Sequence, residues 1–188
     1  MFYHCSPQAG LTVIEPRKNI TFDTQHAVHL TTLLPMALMY GIKHFEYTYG
    51  FHFKDGKPQG MYYEECFPDA LTKLYAGKTA SLYVCGEGDY QTTKKPHEVI
   101  CFEPVPVLEE RTIPDVLAAL LALEKEGQLE IIRFHQQTEK SRAFYRQAEK
   151  EVILKHNLLH QPGPFADYMR TTYPDSWRDA IAEAIEQP

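Results

Sequence analysis

The chain has 188 residues, a net charge of −6 from 19 Lys+Arg against 25 Asp+Glu, and 44% hydrophobic and 12% aromatic residues. That apolar content offsets the ordering entropy of a packed core, which excludes a disordered, collagen-like or low-complexity chain, and the length suits one domain or one domain with a helical appendage. With a pI near 5.8, counterion release has little to act on, so nucleic acid is not an expected partner.

The longest apolar run, Val116 to Leu123, falls far short of the roughly 20 residues that cross a bilayer. Met1-Phe2-Tyr3-His4 lacks a basic region ahead of an apolar one. No membrane contact and a cytoplasmic protein are expected. Cys5, Cys66, Cys85 and Cys101 are scattered without a C-x-x-C pair, so they read as reduced, mostly buried thiols, and no metal is expected.

In chain order, β-branched and aromatic runs predict strands at Met1–Cys5, Ala27–Thr32, His44–Tyr49, Ala80–Cys85 and Val99–Leu108. Leu33–Lys43 predicts a short helix, with Pro35 in its first turn and Met36, Met39 and Tyr40 on one side; Pro68–Tyr75 predicts another, stopped by Gly77. Lys54–Gly60 reads as a turn. Phe45, Tyr47, Tyr49, Phe51 and Phe53 alternate at period two, which predicts an aromatic strand face, most simply buried.

Beyond Leu108 the pattern turns helical. Thr112 is the expected cap of a helix with Pro114 and Asp115 in its first turn and Gly127 past its end; its all-round apolar centre implies burial between other elements. A strand-like piece, Leu129–Phe134, follows, then an amphipathic helix from Thr138 to about Leu159, a break at Gln161-Pro162-Gly163-Pro164, and a last helix around Ser176–Glu186 with Trp177 as an anchor. His26 and His29 point to opposite faces of the expected strand, so joint metal ligation is not expected.

The order Tyr3-His4-Cys5-Ser6-Pro7, Val28-His29-Leu30-Thr31-Thr32, Ala37-Leu38-Met39-Tyr40-Gly41 resembles the opening of the ADP-ribosyltransferase-like fold of the His-Tyr-Glu type, and of small bacterial proteins that begin the same way. The resemblance spans about the first 110 residues. It implies an α+β fold with a mixed or antiparallel β core over residues 1–110, and the helical C-terminal portion read from the pattern, 111–188, is expected to pack against it as one compact unit. It also implies NAD or a related nucleotide as ligand. Cleaving the nicotinamide–ribose bond builds an oxocarbenium-like state that a carboxylate stabilises, and a tyrosine face attracts the cationic nicotinamide.

Carried over, the resemblance gives His4 the ribose, Tyr40 the stacking role, Thr31 or Thr32 the pocket floor, and a carboxylate, expected at Glu103, the catalysis. Glu87 and Glu64-Glu65 are the other acids on offer, no E-x-E or Q-x-E pair is present, and Pro104 is unusual beside a central-strand acid. The implied activity is transfer of ADP-ribose or hydrolysis of NAD. The alternative is a non-catalytic protein-interaction module on the same fold, using the aromatic stripe or the helical tail.

Overall fold

The computed structural model describes residues 1–18, 26–46 and 48–186. Its elements run β1 (Phe2–Ser6), β2 (Val13–Ile14), β3 (Arg17–Lys18), β4 (His26–Thr31), α1 (Leu34–Tyr40), β5 (Tyr49–Lys54), β6 (Lys57–Glu64), α2 (Ala70–Tyr75), β7 (Ala80–Cys85), β8 (Gln91–Thr92), β9 (Glu98–Cys101) and β10 (Val105–Ile113). There follow α3 (Val116–Lys125), β11 (Glu130–Ile132), a 3-10 turn at Phe134–Gln136, α4 (Glu139–Lys155), α5 (Pro164–Thr172) and α6 (Pro174–Glu186). The protein is α+β, with an eight-stranded sheet ordered β2-β10-β7-β1-β4-β9-β8, β3 beside β4, and a three-stranded sheet ordered β11-β6-β5. The pairs of the large sheet and the β5–β6 pair are antiparallel.

The chain divides into two compact units, residues 1–63 with 71–131 and residues 64–70 with 132–188. In the first, β7 is buried along its whole length, because both faces of the large sheet carry a core. Met36, Leu38 and Met39 of α1 and Val116, Leu120 and Leu123 of α3 cover one face together with Cys5 and Leu82. Val28, Leu30, Tyr83 and Cys85 build a smaller cluster on the other. Helix α1 stops at Gly41, where a Cβ would lie 2.3 Å from the Cys5 sulfur, so close approach to β1 is what requires the glycine.

Several expected boundaries move. The strand expected at Val99–Leu108 is two strands, β9 and β10, parted by a bend at Phe102–Glu103 and by Pro104, which cannot donate to a ladder. The strand expected at His44–Tyr49 begins at Tyr49, and most of the expected turn, Lys57–Gly60, is strand β6; Asp55 and Gly56, both at positive φ, make the turn alone. Tyr47 of the aromatic stripe lies outside the described residues; Tyr49 and Phe51 are partly buried against the core, while Phe45 and Phe53 are 53% and 60% exposed, so the stripe is covered only in its middle.

Thr112 belongs to β10, and Asp115 caps α3 by accepting from the Ala118 amide at 3.1 Å. Leu121 is exposed, so α3 is buried along one side and not all round.

The second unit is helical. Thr138, where the sequence starts this helix, is the cap of α4, accepting from the Ser141 amide at 3.0 Å, and the helix ends at Lys155, short of Leu159. Pro164, expected within a break, instead opens α5, where its fixed φ and missing N–H suit a first turn. Ile153, Met169 and Ala180 are buried, and Arg146 meets Asp179 bidentately at 2.5 and 2.7 Å to tie α4 to α6. Among the described residues no helix is long and apolar enough to cross a membrane.

Candidate functional site

The large sheet is weakly joined at its centre. β1 pairs with β7 through five registered residues, but with β4 through one, Tyr3 opposite Thr31. His4 bridges this junction: its Nδ1–H donates to the His29 carbonyl at 3.1 Å. Burial pulls the His4 pKa below its ordinary value, so the ring is neutral and Nε2 is left as an acceptor. The ring stands 6.4 Å from that of Tyr83, a member of the smaller core cluster.

Thr31 and Tyr40 lie on the side of α1. The Thr31 hydroxyl accepts from the Leu33 amide at 3.1 Å and donates to the Met36 sulfur at 3.3 Å, which starts α1 on β4. Thr32 meets His97, its amide donating to the His97 carbonyl at 3.0 Å and its hydroxyl 3.1 Å from Nδ1. Tyr40 presents its ring at the helix end, with its hydroxyl 3.0 Å from that of Tyr49 and Lys95 Nζ donating to it at 3.2 Å. The same ammonium sits 5.5 Å over the Tyr40 ring, so this face already holds a cation.

The acid that joins these residues is Glu98. It pairs in register with Thr31 across β4 and β9. Its carboxylate lies 3.3 Å from His29 Nδ1, accepts from Thr93 Oγ at 2.8 Å and lies 3.9 Å from Lys95 Nζ. Burial opposes ionisation of Glu98, but the bonds from His29 and Thr93 and the charge of Lys95 outweigh it and hold the carboxyl below its ordinary range. His97, at positive φ, turns the chain so that Glu98 enters β9 at this point.

Glu103 lies elsewhere. It is exposed in the bend after β9, past the last registered pair with β4, and five residues from Glu98, about 16 Å along an extended chain. Glu87 is an exposed loop residue, and Glu64 and Glu65 are buried in the second unit. The structure thus gathers Thr31, Thr32 and Tyr40 around β9 on the α1 side. It sets His4 on the Tyr83 side of the junction and leaves Glu103 apart.

The sequence does not single out Glu98, because Val99-Ile100-Cys101 has an acid near either end. Only the antiparallel register with β4 distinguishes which acid meets Thr31. Among the described residues, no group of three or more His, Cys, Asp or Glu is placed to hold a metal ion. No family model, curated protein or solved structure matches this chain.

Proposed function

We propose that the chain binds NAD or a related nucleotide where β4, β9 and α1 meet, and acts on its nicotinamide–ribose bond as ADP-ribosyltransferases do. The observation that carries this reading is an ionised, largely buried carboxylate beside a tyrosine face that accepts a cation: Glu98, Lys95 and Tyr40 in one array. Glu98 takes the role that the resemblance gives to Glu103. It faces the positive charge that develops on the ribose as the bond to nicotinamide breaks.

Tyr40 stacks on the pyridinium, and the Lys95 ammonium moves off the ring toward a phosphate. His4 faces Tyr83 on the other side of the sheet, so the ribose role that the resemblance gives it has no place in this array.

Thermal unfolding with and without NAD tests this, since a ligand at a hundred times its Kd stabilises the native state by about 2.7 kcal/mol. The expected result is a rise in midpoint that is lost in Glu98→Gln and Tyr40→Ala and kept in Glu103→Gln. Absence of any rise at millimolar NAD, or a rise indifferent to Glu98, overturns the reading. The exposed rings of Phe45 and Phe53 favour a second reading, a protein-interaction module, and absence of NAD binding would shift the weight to it.

A further inference from the structure

The second unit contains a cavity of about 460 Å³, a size typical of small-molecule sites. One wall is a stripe of α4. Arg142, Tyr145, Arg146 and Glu149 recur at three and four residues and share one helix face over about 10 Å.

The lining is anchored from behind. Glu64, 8% exposed, accepts from Gln137 Nε2 at 3.3 Å, from the Ser141 hydroxyl and from the Tyr145 hydroxyl at 3.0 Å, which fixes two of the lining side chains. The Cys66 thiol lies 3.0 Å from the Tyr173 hydroxyl, and Phe67 meets the Tyr173 ring edge-on at 5.9 Å.

The charges along the cavity differ in what they meet. Arg146 is engaged bidentately by Asp179, Asp175 is paired with Arg178, and Glu149 accepts from the Ser176 hydroxyl at 3.1 Å. Arg142 meets neutral groups: its Nη2 donates to the Phe134 carbonyl at 3.4 Å, and the guanidinium lies 5.4 Å over the Phe134 ring. Stacking orients this planar fork, and the remaining N–H donors match the oxygens of a carboxylate or phosphate.

We propose that this cavity binds a small organic anion, a carboxylate or phosphate carried on a flat apolar body, with the anionic group on Arg142 and the body against Phe67 and Phe134. The site is separate from the residues that surround Glu98 and does not depend on their function.

The test is an NMR titration of the full chain with phenyl phosphate, benzoate and neutral benzyl alcohol. The expected result is saturable shifts for the amides of α4 and of Phe134 with at least one anion, and affinity about tenfold weaker in Arg142→Gln. Arg111→Gln, a surface change at a residue paired with Glu109 in the first unit, leaves the affinity unchanged. The stronger of the two anions identifies the headgroup. Binding of benzyl alcohol as tight as that of the anions, an Arg142→Gln variant equal to wild type, or no saturable shifts at millimolar concentration overturns the proposal.

Discussion

His44 makes folding sensitive to mild acid. Its Nδ1 accepts from the Glu46 amide at 3.1 Å, and its Nε2 lies 2.9 Å from the hydroxyl of the fully buried Tyr75. A ring that accepts at Nδ1 is neutral, with its proton on Nε2 donated to Tyr75. Burial pulls its pKa down from 6.5 to about 4. Between those values the unfolded chain binds a proton that the folded chain refuses. The stabilisation is therefore complete above about pH 6.5 and is lost as pH falls toward about 4.

At about 1.4 kcal/mol per tenfold, the gap amounts to about 3 kcal/mol, which the ring's remaining contact with water reduces to about 2 kcal/mol. Urea unfolding of wild type and His44→Gln near pH 7 and near pH 4.5 measures it. Wild type is expected to lose about 2 kcal/mol more than the variant over that interval. His4, also held neutral by burial, contributes to both curves and cancels in the difference. Equal slopes for the two proteins, or an NMR titration of His44 centred near its ordinary value, would refute the reasoning.

Gly41→Ala places a methyl 2.3 Å from the Cys5 sulfur and is expected to cost about 1 to 3 kcal/mol by urea denaturation. Cys5→Ala in the same chain recovers part of that loss, and strict additivity of the two changes would show that the contact is not the cause. Asp115→Ala removes the α3 cap and should lower stability by about 1 kcal/mol, whereas Asp115→Asn retains most of it. Glu64→Ala strands the donors of Gln137, Ser141 and Tyr145, a loss of about 3 kcal/mol read as faster amide exchange along α4; unchanged exchange would show that Glu64 does not hold this helix.

The elements legible in the sequence are those whose pattern is local. Ala80–Cys85, apolar but for Ser81, is strand β7, and Thr138 lies one residue ahead of α4 with a side chain suited to capping it. What escapes is set by partners distant in the chain. β2, β3 and β8 are two residues each and exist because β10, β4 and β9 supply their hydrogen bonds. At the candidate site the same distinction holds: Thr31 and Tyr40 stand out in their own short segments, whereas the choice of Glu98 over Glu103 depends on the register of β9 against β4. Pro164 misleads because the same ring that breaks a helix interior is welcome at its first position.

The central position of β1 has a consequence for how the chain is made. Phe2 pairs with Cys85, so 85 − 2 = 83 residues separate the two partners. At synthesis rates of about 5 to 20 residues per second, β1 waits about 4 to 17 s on the ribosome before β7 is available to receive it. During that interval a strand destined for the middle of the sheet keeps one backbone edge unsatisfied, even once β4 has been made to take the other. The fold's dominance by such remote pairings places it among slow folders that benefit from protection while nascent.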